Sequence, residues 1–363
     1  MSPRRKSRAP ARRKLRVAVI FGGRSVEHDV SLVSAKAIMA ALDPKRYDVV
    51  PVAIARDGRW ERRGSAALLR SNPELARMLG ASASGRGKPV DVVFPIVHGT
   101  GGEDGALQGL LTLAGLPFVG SGVLGSALGM DKAAMKVAFQ DAGLPIGRYL
   151  VLTRPQFDAA PGDAAARAAA HCGLPSFVKP ANGGSSVGVS KAKDAAGLLA
   201  ALRVAFRYDR KVLVETAVDA REIECSVLGN DDPEVSVAGE IVPAHEFYDY
   251  DAKYHDEGSR LIIPAPLSDA QAALLRDLAK RAFQSLDLAG MARVDCFLDR
   301  GTGVLYLNEV NTLPGFTPIS MYPKLWEASG VPFPRLVDRL IRLAFDRHSR
   351  QGRLVTAFRR GRG

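Results

Sequence analysis

The sequence predicts an α/β domain with a parallel sheet, followed by an α+β region built on hairpins. Three observations carry this. Apolar strands and helical periods alternate over residues 15–120, the pattern of a parallel sheet covered by helices. A glycine- and serine-rich loop at 180–188 lies between two extended runs and does not feed a helix. Two apolar strands, 294–298 and 304–310, flank the turn Asp299-Arg300-Gly301-Thr302-Gly303 and form a hairpin. A chain of 363 residues exceeds one compact core and suggests two or three domains.

Residues 15–21 form the first strand, ended by Gly22 and Gly23. A helix from about Glu27 is expected to bury Val30, Val33, Ala37, Ile38 and Ala41. Strands follow at 47–55 and 89–97, the second running into a glycine-rich loop that begins at His98. A helix to Gly115 and a strand from Pro117 complete the alternation. Ligands of such sheets sit at the carboxyl ends of the strands, where Glu27, His98 and both glycine loops fall. Glu27 also suits a helix N-terminus, and His98 an ordinary loop. The run Gly120-Ser121-Gly122-Val123-Leu124-Gly125 matches the dinucleotide pattern G-x-G-x-x-G. The next helix is expected only near Lys132 and no acidic strand end follows, so it is not read as a dinucleotide site. The first domain, 15–131, ends there.

The helix at 131–142 stops at Gly143. Residues 154–170, rich in alanine and proline, join a linker to a helix. Strand 176–179 then enters the glycine-serine loop. Its glycines let backbone N–H groups converge on phosphate, Ser185 and Ser186 add hydroxyl donors, and Lys179 adds charge. An ordinary hairpin turn is the alternative. Asp194 is placed as the cap of a helix to about Arg207. Strands at 211–215 and 221–228 carry Glu215, Glu222 and Glu224; Glu215 or Glu222 can accept from ribose or an adenine amine, or simply be solvated. This central subdomain spans 132–220 and the last one 221–346.

Residues 245–263 are polar, tyrosine-rich and without period, the mark of a long loop that can serve as a lid; Lys253 and Tyr254 are its most chemical residues. Ser268 and Gln271 form a capping box for a helix ending near Gly290. In the hairpin at 292–311, alternation puts Glu309 and Asn311 on one face, and Asp295 can join them from the partner strand. Two carboxylates and an amide suit a hard cation such as Mg²⁺, which takes phosphate oxygens as further ligands. Arg293, two residues before Asp295, points to phosphoryl chemistry. A plain acidic hairpin is the alternative. The last helix, 334–345, is expected to bury Leu336, Leu340, Ile341 and Ala344.

The net charge of +12 resides in two tails. Residues 1–14 hold seven Lys/Arg and residues 347–363 six Arg, with no acid in either, so the body between them carries −1. Such tails are expected to be disordered, and no groove-reading motif accompanies them, so no specific nucleic-acid role is assigned. No apolar run reaches the length of a membrane span. Cys172, Cys225 and Cys296 lack metal or redox spacing, which fits a reduced, cytoplasmic setting.

Seven runs, FGGRSVEHDVSL (21–32), HGTGGEDGALQG (98–109), GLPFVGSGVLGSALGMDKAAMK (115–136), VKPANGGSSVGVSK (178–191), YDYDAKY (248–254), ARVDCFLD (292–299) and NEVNTLPGFTPISMYP (308–323), resemble the D-alanine–D-alanine ligase family in family order. The resemblance implies an ATP-grasp fold with an N-terminal parallel-sheet domain, and a homodimer. It implies that Glu27 anchors the ammonium of the first D-alanine with His98 nearby, and that Lys132, Lys179 and Lys253 bind ATP phosphates. Ser185 would bond to Glu27 and to Tyr254 of the lid. Glu215, Glu222, Asn308 and the backbone of Ala217 and Val218 would hold the nucleoside, with Ser186 in the phosphate loop. Asp295, Glu309 and Asn311 would hold two Mg²⁺ ions, replaceable by Mn²⁺. Arg293 and the Gly315 N–H would stabilise an oxyanion, and Ser320 would bind the second D-alanine's carboxylate. Ala217 is smaller than the aromatic residue that some members carry beside adenine. The expected reaction passes through D-alanyl phosphate; D-lactate or D-serine as acceptor is the alternative, against which Tyr254 argues. A non-catalytic nucleotide-binding module would be expected to lose part of this set, and all of it is present.

Overall fold

Strand β1 (Leu15–Gly22) lies at the centre of a three-stranded parallel sheet, between β2 (Tyr47–Ile54) and β3 (Val92–Ile96). Val17, Ala18, Val19 and Ile20 are all fully buried, because helices cover both faces. The structure, a computed structural model, describes residues 13–72, 89–243 and 260–355. The strand expected from Pro117 shrinks to a single bridge between Val93 and Phe118. Helix α1 (His28–Ala41) buries Ser31, Ser34, Ala35 and Ile38, with Val33 exposed, so the expected apolar face is rotated. The reason is hydrogen bonding. The Ser31 hydroxyl accepts from Gly22 N–H at 2.7 Å and donates to the Ile96 carbonyl, and the Ser34 hydroxyl accepts from Phe316 N–H at 3.1 Å. Two small polar residues thus satisfy buried backbone groups that valines could not.

Helices α2 (Arg62–Ser71), α3 (Ala106–Leu113) and α4 (Val123–Met130) follow. The first was not anticipated. The third corrects the sequence expectation, since it begins inside the glycine pattern, at Val123 after Gly122. Packing explains the glycines. A Cβ on Gly125 would lie 2.6 Å from the Asp287 carbonyl oxygen, and one on Gly290 would lie 3.0 Å from Gly120 N. They let α4 and the chain before it approach the backbone of residues 287–290.

The second sheet has the order β4-β7-β5-β6 and is antiparallel throughout. It follows helix α5 (Lys132–Asp141) and comprises β4 (Tyr149–Thr153), β5 (Ser176–Pro180), β6 (Ser190–Ala192) and β7 (Lys211–Thr216). Helices α6 (Arg154–Ala159), α7 (Pro161–Cys172) and α8 (Ala195–Ala205) supply Phe157, Ala168, Leu198 and Leu202 to a core beneath it. Asp194 caps α8 by accepting from Gly197 N–H at 2.7 Å. Strand β4 carried no clear sequence signal.

The third sheet, antiparallel with order β10-β9-β8-β11-β12, contains β8 (Ala220–Gly229), β9 (Glu234–Val242), β10 (Arg260–Ile262), β11 (Gly290–Asp299) and β12 (Leu305–Asn311). Helix α9 (Asp269–Ser285) covers it, opened by the Ser268–Gln271 capping box. Met135 and Phe139 of α5 join this core with Phe283 and Val294, although α5 was grouped with the second sheet. Strand β10 shows that the expected loop 245–263 ends in paired backbone; Lys253 and Tyr254 lie outside the described residues. Helix α10 (Met321–Ala328) was not anticipated. Helix α11 (Phe333–Gln351) buries Leu336, Leu340, Ile341 and Ala344 as expected but runs through residues assigned to the basic tail. Arg347 is the cause: its guanidinium lies 4.3 Å from the Phe118 ring centroid and donates to the Phe118 carbonyl at 3.1 Å. At the other end Arg13, also assigned to a tail, pairs with Asp91.

Candidate active site

A cleft of about 1410 Å³ opens between the three sheets. Glu27, His98, Lys132, Lys179, Ser185, Ser186, Glu215, Ala217, Val218, Glu222, Arg293, Asp295, Asn308, Glu309, Asn311, Gly315 and Ser320 all line it. Only the two lid residues of the expected set lie outside the described residues.

The amino-acid side is built on loops after β1 and β3. Glu27 is buried and accepts from the Ser185 hydroxyl at 2.5 Å, joining the first domain to the glycine-serine loop. The approach needs Gly184, where a Cβ would sit 2.7 Å from Glu27 Oε2. Ser185 and Ser186 hold positive φ of 48° and 59°, which turns the loop back on itself. His98 is buried with Nδ1 3.4 Å from Glu103 Oε1. Burial favours neutral imidazole, but Glu103, and behind it Glu27, reverse this and raise its pKa.

The phosphate side is carried by α5 and β5. Lys132 Nζ donates to the Gly183 carbonyl at 2.7 Å and lies 3.3 Å from Glu309 Oε2. Lys179 Nζ donates to Glu215 Oε2 at 2.9 Å and to Asn308 Oδ1 at 3.1 Å. Burial would discharge Lys179, but Glu215 and Glu309 keep it protonated and raise its pKa. On Glu215, burial acts against the charge; Lys136 and Lys179 override it and hold the carboxyl at about 2. The Ala217 N–H donates to Pro175 O at 3.1 Å, so a ligand there meets the Ala217 carbonyl rather than its N–H.

The hairpin supplies the rest. Asp295 pairs with Glu309 and Arg293 with Asn311 in the β11–β12 ladder, so all four side chains share one face. After Asp295 the register shifts, and Cys296 pairs with Leu307. Asn308 is the extra residue of this bulge, which is how adjacent Asn308 and Glu309 both reach the cleft despite strand alternation. Arg293 chelates Asp295 with two bonds of 2.7 Å and lies 3.1 Å from Glu224. Burial works against this guanidinium, yet Asp295 and Glu224 hold its pKa well above the ordinary value. Among the described residues no three His, Cys, Asp or Glu side chains gather as a metal cage. The donor set that faces the cleft, two carboxylates and the Asn311 amide, fits a hard cation that completes its shell with phosphate oxygens. Ser320 precedes α10, where the helix N-terminus favours an anion. Its hydroxyl accepts from Thr317 N–H at 3.0 Å and lies 2.7 Å from the Thr317 hydroxyl. Thr317 and Lys136 were both missed; the second sits one helical turn after Lys132, which was the available signal.

Two family models cover most of the chain: "D-ala D-ala ligase N-terminus" matches residues 16–121 and "D-ala D-ala ligase C-terminus" matches residues 138–342. The chain belongs to the D-alanine–D-alanine ligase family. It has the ATP-grasp fold with an N-terminal parallel-sheet domain. Among family members, the D-alanine–D-alanine ligase of Thermoanaerobacter sp. (strain X514) is 50% identical over 357 residues, 94% of this chain and 99% of that one. That of Geobacillus kaustophilus is 45% identical, over 96% and 99%. Two solved structures are similar. The Coxiella burnetii D-alanine–D-alanine ligase has a TM-score of 0.78 at 37% identity, covering 93% of this chain and 96% of that one. The VanG D-Ala:D-Ser ligase of Enterococcus faecalis has 0.77 at 33%, covering 92% and 100%.

Proposed function

We propose that the chain joins two D-alanine molecules into D-alanyl-D-alanine for peptidoglycan synthesis, converting ATP to ADP and phosphate. The observation that carries this reading is the convergence in one cleft of residues as distant as Glu27 and Ser320, with lysines and an acidic hairpin between them. A carboxylate and an amine do not condense in water, so the acid must be activated. The carboxylate of the first D-alanine attacks the γ-phosphorus, the bond to the β–γ bridging oxygen breaks, and ADP leaves an acyl phosphate. The neutral amine of the second D-alanine attacks the acyl carbon; the C–N bond forms, a proton is lost and phosphate departs.

Glu27, with His98 beside it, holds the ammonium of the first D-alanine. Lys132 and Lys179 neutralise phosphate, a positioning and charge effect that dominates such transfers. Glu215, Glu222, Asn308 and the backbone of Ala217 and Val218 hold the nucleoside. Arg293 and the Gly315 N–H face the oxyanion, each such donor being worth about 3–4 kcal/mol in comparable sites. Ser320 and the start of α10 take the second carboxylate. Asp295, Glu309 and Asn311 would hold Mg²⁺, with Mn²⁺ as a substitute; the ion supplies further neutralisation of phosphate oxygens when bound. Lys253 and Tyr254 complete the site in this reading by closing over a water-labile intermediate. No helix among the described residues is long and apolar enough to cross a membrane. A cytoplasmic homodimer is the proposed state, checked by sedimentation.

Purified protein with ATP, Mg²⁺ and D-alanine is expected to release phosphate and yield the dipeptide by mass spectrometry. Phosphate release that requires D-lactate or D-serine would overturn the acceptor assignment. No release with any of the three acceptors would overturn ligation itself.

A further inference from the structure

Lys136 lies one turn beyond Lys132 on α5 and is only 2% exposed, a position that lysine rarely takes without a partner. Its Nζ is 3.2 Å from Glu215 Oε1 and 5.6 Å from the centroid of the Tyr149 ring. The opposite oxygen of the same carboxylate is held by Lys179 at 2.9 Å. Lys136 is not among the residues that line the cleft, so it acts there through Glu215.

We infer that Lys136 is a positioning residue for nucleotide: it takes up the charge of Glu215 so that Lys179 keeps its own charge for phosphate. The inference rests on the proposed reading of the cleft as an ATP site. One carboxylate between two ammonium groups leaves the cluster with a surplus positive charge. Without Lys136, Glu215 and Lys179 cancel and that surplus is lost. Lys136 also faces Glu215 from behind: Lys179 donates to Oε2, and the Lys136 ammonium lies against Oε1 as an ion pair. The arrangement explains why an acid is tolerated against a phosphate-facing lysine in a buried setting, where an unbalanced pair would silence the lysine.

The ratio of ADP affinity to adenosine affinity isolates the phosphate contribution. It is measured by calorimetric titration of the full chain at low ionic strength with Mg²⁺, beside unfolding curves and KM values for ATP and D-alanine. Lys136→Met is expected to lower the ratio by roughly tenfold or more and to raise the ATP KM in step, with the D-alanine KM unchanged. Lys136→Met combined with Glu215→Gln restores the cluster charge and is expected to recover most of the ratio. Lys136→Arg keeps the charge and the ratio. Should Lys136→Met fail to fold, Glu215→Gln alone is expected to raise the ratio. An unchanged ratio in Lys136→Met, equal loss of ADP and adenosine binding, or no recovery in the double variant would overturn the inference. If the wild type still forms dipeptide, that result leaves the proposed function standing. Wild-type protein that binds no ADP would overturn the ATP reading and this inference with it.

Discussion

Two lysines grip Glu215 from opposite sides, and the carboxyl responds by titrating near 2 instead of the ordinary 4.5. A depressed carboxylate stabilises the fold fully above its unfolded pKa and loses that contribution as pH falls through the folded one. Glu215→Gln is therefore expected to be less stable than wild type at neutral pH. The gap should close as pH falls from about 4.5 towards 2, when unfolding is followed by circular dichroism. A gap independent of pH would show that the loss comes from packing. At this scale the sequence disclosed residue types better than their partners. Lys179, Glu215 and the hairpin acids were visible as isolated candidates. That Lys179 bonds to Glu215 could not be read, because the two lie on neighbouring strands whose register only pairing sets.

Helix α5 is the element on which the phosphate side depends, since it presents Lys132 to the cleft and Lys136 behind it. Its first turn is fixed by Asp131, whose side chain accepts from the N–H groups of Ala133 and Ala134, both at 3.0 Å, and pairs with Lys211 of β7. Asp131→Ala is expected to cost about 1–2 kcal/mol of stability and to raise the ATP KM through misplacement of Lys132. Asp131→Asn retains the cap and should recover part of both. Equal ATP KM values for wild type and Asp131→Ala would show that the helix is seated by packing alone. Elements with strong local signals were legible: the capped helices α8 and α9, the central strand β1 and the β11–β12 hairpin. Elements without them were missed. Strands β4 and β9 and helix α10 owe their form to neighbours rather than to caps or clean periodicity. On α1 the apolar pattern misled, because serines with backbone partners took the buried face.

In the whole molecule, the boundaries read along the chain are crossed by its cores. Phe94 and Val19 of the first sheet share a core with Phe316, Tyr322, Leu336 and Leu340 from the far end. The Tyr47 hydroxyl donates to Asp338 of α11, and Arg347 clasps Phe118. Gly125 is the tightest point of a second contact, against Asp287. Gly125→Ala is expected to destabilise the protein by about 1–3 kcal/mol, read as a lower thermal midpoint. An unchanged midpoint would mean that α4 can shift without cost. Such long-range contacts are the part of the fold that local sequence patterns disclose least.

The shared core also bears on how the chain is made. Strand β3 is complete roughly 240 residues before Phe333 opens the helix that packs on the first sheet. At ordinary elongation rates that interval is on the order of ten to fifty seconds. Throughout it, the part of this core that Leu336, Val337, Leu340 and Ile341 supply is missing from the nascent first sheet. The folding of this core should therefore be completed only after synthesis of the last helix.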